Sequence, residues 1–279
     1  MKVYFLLLMM TLAINSFGQK NNFQVVLTKG QKFTVRTTSS QEADMGMGME
    51  MKNNTSSQNN FLVIDVADKN YNVSNTLISL KVAMDAMGQQ TTYDSDLKAD
   101  SASEIGKAMK NLNVPDTLSV NKYTAEVSDD KKADTTSKED KSNPMEGLFE
   151  SLGDQGAGMA LSEAFLIIPA GKKIGDNWAD SSATKEQKTV NTYTIQSIEK
   201  NIATIIVIGN ITSNIQTEAN GMQLTVTMTT KKNSEVITDV KTSLVQKRTT
   251  KSDIAGNLEM MGQSMPISGK ATTTSIYEY

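Results

Sequence analysis

The residue types able to do chemistry are few, and the most distinctive carry sulfur. Met45, Met47, Met49 and Met51 alternate with Gly46, Gly48 and Glu50, so in an extended chain all four thioethers project from one side. Such a ladder admits three uses: a soft ligand set for Cu(I), an adaptable surface for varied apolar partners, or the filling of an irregular core. A looser cluster follows at Met260, Met261 and Met265. The chain has no His and no Cys, which removes the commonest general base, the thiolate nucleophile, zinc sites and any disulfide framework. Asp94 and Asp96 offer two carboxylates, but two residues apart on a strand they share one face, where solvation explains them. No G-x-S-x-G nucleophile elbow is present, and Asp129-Asp130 lacks the spacing of a calcium loop. These residues point to binding rather than catalysis: no enzyme, no cofactor and no metal ligand set are expected. The ligand-binding candidates are Met45, Met47, Met49, Met51 and Trp178, the only Trp.

Composition narrows the partners. Lys and Arg number 28 against 31 Asp and Glu, and only Arg36 and Arg248 are arginines, so the basic patch that nucleic acid demands is missing. Beyond the first twenty residues no apolar run is long enough for a membrane helix, so an integral helical membrane protein is not expected. Residues 1–18 read as a signal peptide: Lys2, an apolar run from Val3 to Ile14, and Ser16-Phe17-Gly18 as a cleavage site with the cut after Gly18. The expected location is therefore periplasmic or extracellular, and without disulfides the mature chain depends on its core.

The elements that must position these residues are mainly strands. Ile78, Leu80, Val82 and Met84 alternate with polar or small residues, as do Met222, Leu224, Val226 and Met228, which is the period of half-buried antiparallel strands. Phe61 to Val66 and Thr204 to Ile208 are apolar throughout and read as strands covered on both faces. Turn signals fall at Lys29-Gly30, Asn53 to Asn60, Asp68 to Asn70, Gly88, Gly209-Asn210 and Asn220-Gly221. Two or three short helices interrupt the strands. Ser101-x-x-Glu104 opens one as a capping box, with Ile105, Ala108, Met109 and Leu112 as its stripe. Asn143-Pro144 opens a second that Gly153 stops, and a short turn runs from Ala160 to Phe165. Residues 128–142 carry five acids and four Lys with almost nothing apolar, which predicts a flexible charged linker.

The linker separates two halves that look alike. Gly30-Gln31-Lys32-Phe33 returns as Gly175-Asp176-Asn177-Trp178, Phe61 to Ile64 as Ile205 to Ile208, and the strand at Ile78 as one at Met222, at spacings of 144 or 145 residues. A constant spacing predicts internal duplication. The organisation expected is a signal peptide (1–18), a first β-rich half with one helix (19–127), the linker (128–142), and short helices followed by a second β-rich half (143–279). The fold class is mainly β: antiparallel meanders in two related halves, forming an open barrel or two packed sheets.

Pro169, then after five intervening residues Gly175-Asp176, and Trp178 together resemble the P-x5-G-D-x-W signature of an uncharacterised family of exported bacterial β-rich proteins, and Tyr93-Asp94-Ser95 is similar to a second stretch of it. The resemblance implies export and a β architecture and carries no activity. Physically, Gly175 can take a positive φ, Asp176 can bond to amides just after it, and Trp178 then starts a strand with its ring inward. The function expected is that of an exported binding or carrier module for an apolar small molecule or lipid. An envelope interaction protein is the alternative, and Met-rich Cu(I) binding the third reading.

Overall fold

The computed structural model describes residues 23–128 and 158–279, apart from 45, 47, 48, 87, 110, 111, 220, 221, 261 and 262. The signal segment, the expected helix at 143–153, all but the first residue of the linker, and Met45, Met47 and Met261 lie outside the described residues.

The first half contributes β1 (Lys32–Asp44), β2 (Glu50–Val66), β3 (Asn70–Ala86), β4 (Gln89–Asp94), β5 (Asp116–Asn121) and β6 (Val127–Ser128). The second contributes β7 (Asn177–Ala183), β8 (Gln187–Glu199), β9 (Ile202–Ala219), β10 (Met222–Asp239), β11 (Val245–Met260) and β12 (Gln263–Glu278). All belong to one antiparallel sheet in the order β6-β5-β3-β2-β1-β12-β11-β10-β9-β8-β7, with β4 on the far part of β3. Strand β12 returns to pair with β1 and so joins the halves into a single sheet, not closed into a barrel.

The sheet curls because its core lies at one end of the strands. Phe33, Phe61, Val73 and Val120 from the first half and Ile195, Ile205, Val236 and Val245 from the second pack in one cluster around Leu161, Phe165 and Ile168. A helical turn at residues 158–162 opens that inserted segment. Leu166 N donates to Ser243 O, Val245 N donates to Ala164 O, and the Tyr279 hydroxyl donates to Ala164 O. Residues 23–28 close the same end, where Val25 N donates to Lys122 O and Val26 N to Thr242 O. A second, smaller core forms where Ile105 and Met109 cover Leu80, Val82 and Tyr93. Helix α1 (Glu104–Ala108) is capped by Ser103, whose hydroxyl accepts from Gly106 N, so the expected cap at Ser101 falls two residues early.

Three sequence expectations change. Asn53 to Asn60 and Gly209-Asn210 are not turns but lie inside β2 and β9, because neighbouring strands supply ladder partners on both sides at these positions and override weak propensity. The apolar runs at Phe61 and Thr204 are covered on one face only: Phe61, Val63, Ile205 and Val207 are buried while Ile64, Val66 and Ile208 are exposed, since a single curled sheet has no second layer outside. The halves are related, but not at the spacing of 144. Phe61 and Tyr193, Val63 and Ile195, and Val73 and Ile205 occupy equivalent places 132 residues apart. The hairpin from Phe33 to Phe61 takes 28 residues and that from Trp178 to Tyr193 only 15, so one fixed offset lays β2 on β9 instead of β8.

Candidate functional site

Each half begins with the same corner. Gly30 and Gly175 have φ of 83° and 88°, a region open to Gly and costly for other residues. Gly30 N donates to Val63 O and Val63 N donates back to Gln31 O. Gly175 N donates to Ile195 O and Ile195 N donates back to Asp176 O. These bonds fix the third residue after each Gly on the inner face, opposite an aromatic of the next strand. Phe33 stacks on Phe61 at 4.8 Å and Trp178 on Tyr193 at 5.0 Å, with planes 14° and 7° apart. Asp176 accepts from Lys173 N at 2.9 Å, an amide before it and not after it as expected. The carboxylate therefore closes the turn that delivers the chain to Gly175.

The corners differ in what lies over them. Tyr279, at the end of β12, stacks on Phe33 at 5.0 Å and seals the first. Strand β7 is the last in the sheet, and no described strand lies beside it as β12 lies beside β1. Trp178 and Tyr193 consequently floor a groove of about 460 Å³ between the β5–β6 turn at Ala125, the inserted segment at Phe165 and Leu166, and the inner face of β7 to β11. Gly209 keeps this floor low, since a Cβ there would stand 2.8 Å from Asn191 Oδ1.

The polar groups of the groove fall into two sets. Asp180, two residues beyond Trp178 on the same face, accepts from the Tyr193 hydroxyl at 2.6 Å and from the Asn191 amide at 2.9 Å. Burial and the adjacent Asp180 carboxylate hold the Tyr193 phenol protonated well above its ordinary range. Across the groove Arg248 is engaged only loosely. It donates to Glu163 O at 3.4 Å, its Nε lies 4.0 Å from the Glu163 carboxylate, and its Nε–H has no hydrogen-bond acceptor. The neighbouring Tyr277 hydroxyl is buried without a hydrogen bond of good geometry, and burial, then the charge of Glu163, push its pKa up. Lys232 and the Ser234–Thr250 hydroxyl pair, 2.8 Å apart, complete this side.

Farther along the same face the character changes. Register places Ile211 and Ile215 of β9, Val226 and Met228 of β10, Ile254 and Leu258 of β11, and Met265 and Ile267 of β12 on the side that carries Ile205, Val236 and Arg248. The opposite side of these stretches carries Thr212, Asn214, Thr227, Asp253, Glu259 and Lys270. The apolar members belong to neither packed core, and Ile215 is 37% exposed. An apolar, open face thus continues from the polar groove.

The described sequence candidates, Met49, Met51 and Trp178, are not brought to one place. Gly46 lies between β1 and β2 with φ of 75°, its N–H donating to Asp44 Oδ1, and Met45 and Met47 on either side of it lie outside the described residues. Met49 follows, and Met51 pairs with Ala43 and Ala86 at the far end of β2. Of the described candidates only Trp178 reaches the groove. Sequence reading passed over Asp180, Tyr193, Lys232 and Arg248; the period of two from Trp178 to Asp180 was the one available signal, because the others arrive through strand pairing.

Residues 68–245, well over half of the chain, match the model of a family described as being of unknown function, DUF6263. The chain belongs to that family. The family match takes in both α1 and the Trp178 corner, and no curated protein matches the chain by sequence. Among solved structures it is similar to lipovitellin, described for its lipid–protein interactions, with 8% identity and a TM-score of 0.48 over 91% of this chain and 26% of that one. An outer membrane channel from Pseudomonas putida F1 follows with 7% identity and a TM-score of 0.26 over 92% and 98% of the two chains. The translocator domain of the autotransporter NalP from Neisseria meningitidis has 7% identity and a TM-score of 0.24 over 90% and 89%. The chain spans about a quarter of the length of lipovitellin, and at these scores the likenesses say nothing of what the family does. No described helix is long and apolar enough to cross a membrane.

Proposed function

We propose that the protein is an exported binding or carrier module that holds an amphipathic small molecule on the inner face of its curled sheet. One observation carries the reading: a single sheet face runs from a groove with an aromatic floor and polar walls into an apolar stretch that no described core element covers. Water is a poor occupant for that stretch, since each fully covered Leu, Ile or Met side chain gains about 1.5–3 kcal/mol from leaving it. A ligand with a polar head and an apolar tail satisfies both ends of the face at once. Binding sites of this kind are concave, mostly apolar and furnished with a few placed polar groups. Export rests on the Lys2, Val3 to Ile14 and Ser16-Phe17-Gly18 pattern, and N-terminal sequencing of secreted protein should begin at Gln19.

Trp178 is the only Trp in the chain and floors the groove, so its emission reports occupancy. Titration with dodecanol or dodecanoate below their aggregation limits should shift that emission and saturate at one equivalent. Native mass spectrometry of protein from its own host should retain a lipid-sized mass. An unchanged emission with both amphiphiles, together with a bare protein mass, would sink the reading.

A further inference from the structure

Arg248 is the only arginine on the inner face; Arg36, the other one, lies on the outer side of β1 beside Glu278. Its side chain is only 13% exposed. Removing a guanidinium from water is costly unless its donors are met, yet this one has a long bond, a loose ion pair and an Nε–H without an acceptor. The adjacent Tyr277 hydroxyl is buried and has no hydrogen bond of good geometry either. Lys232 projects from the same face, four residues along β10 from Val236, the partner of Arg248, and among the described residues no acid pairs with it. Four residues of strand are about 13 Å, a gap that two long basic side chains can close from either end over Ser234 and Thr250. The acids of the groove do not answer this demand. Asp180 is committed to Tyr193 and Asn191, and Glu163 stands at the limit of an ion pair.

We infer that the head of the bound amphiphile is an anion, a carboxylate or a phosphate, received between Arg248 and Lys232, with its tail on the apolar stretch beyond Lys232. This rests on the binding reading above and adds the class of the ligand. The order of the face supports the polarity of docking: Arg248, then Ser234 and Thr250, then Lys232, then Ile254, Met228, Val226 and Leu258. Charge-assisted hydrogen bonds are about twice as strong as neutral ones, and the groove offers them at the end nearest the core.

The test compares dodecanoate, dodecyl phosphate and dodecanol on the full mature chain, followed through Trp178. Wild type should bind at least one of the two anions about tenfold or more tightly than the alcohol, and the tighter of the two sorts carboxylate from phosphate ligands. Lys232→Gln should remove about threefold to tenfold of the anion affinity and leave dodecanol unchanged; Arg248→Met should do the same more strongly, with circular dichroism checking its fold. Equal affinity for dodecanol and both anions, or an anion preference that survives Lys232→Gln and a folded Arg248→Met, overturns the anionic head while leaving the amphiphile reading standing. Failure of all three probes overturns both.

Discussion

The corners at Gly30 and Gly175 share a backbone trace, a reciprocal pair of hydrogen bonds and a stacked aromatic pair, yet they serve opposite ends. In the first, Phe33 and Phe61 are 3% and 2% exposed and Tyr279 covers the ring. In the second, a larger and more polar pair, Trp178 and Tyr193, stays partly buried beside Asp180. The likeness extends to the turns after β5 and β10. Asn121 and Asp239 each accept two amides from the turn that follows, at Ala125 and Ser243 respectively the chain takes a φ near 60°, and each turn returns a bond to the carbonyl of Asn121 or Asp239. Between corner and turn, the single strand β10 does the work that β4 and β5 share in the first half, where residues 95–115 interrupt the strand with α1. One architecture used twice thus yields a sealed corner, with a neighbouring strand and a terminal tyrosine, and one that no described strand flanks in that way.

The comparison breaks most sharply by truncation in the sealed corner. Phe61→Ala should destabilise the protein by about 3–5 kcal/mol, the range for burying a cavity where a Phe stood, read as a large fall in melting temperature. Trp178→Ala should cost less, roughly 1–2 kcal/mol because its ring is only partly buried against the core, while abolishing dodecanoate binding measured by calorimetry. Equal stability losses in the two variants would mean that the corners are both simply core. Tyr279→Ala should uncover Phe33 and remove one hydrogen bond, at about 1–2 kcal/mol, and a fluorescent apolar probe should then gain access to the first corner. No new probe site would show that Tyr279 is not what seals it.

Smaller effects sharpen the contrast. Gly209→Ala should cost about 1 kcal/mol or less, since its Cβ meets the mobile end of Asn191 rather than backbone, yet displacing that amide from Asp180 should weaken ligand binding several-fold in the same titration. The alkaline titration is weakest near neutrality. Tyr193 and Tyr277 have folded pKa values raised above 10.0, so their contribution to stability is present below pH 10 and lost as pH rises through the higher folded values. Melting temperatures should be flat to about pH 10 and fall beyond it, and Tyr193→Phe should make that fall shallower. An unchanged alkaline limb in that variant would remove Tyr193 from the cause.

Particular residues show why part of this was legible. The period of two at Leu80 and Val82 reads correctly as a strand with one buried side, because alternation is a local consequence of the pleat. The corner at Gly175 was legible for the same reason: a turn, a positive φ and an inward Trp depend on adjacent residues. Asn53 to Asn60 misled because a polar run has no intrinsic preference strong enough to resist two flanking strands. Arg248 in the groove could not be read at all, since its companions Lys232, Glu163 and Tyr193 are distant in sequence and converge only through the register of β8 to β11 and the inserted segment.

By itself the amino-acid sequence determined the mainly β class, the buried and open sides of the strand at Leu80 and Val82, the turn-and-aromatic motif at Gly175 and the lack of His and Cys. These follow from short-range geometry and composition, which need no knowledge of neighbours. Only the tertiary structure decided that the halves form one sheet, that β12 seals the Phe33 corner while no described strand flanks the Trp178 corner in the same way, and that an under-satisfied guanidinium lies beside an apolar face. The physical reason is that strand pairing is long-range: a hydrogen-bonded ladder fixes which residues share a face across 100 residues of chain or more, and backbone groups alike in every residue carry no mark of which strand they will meet.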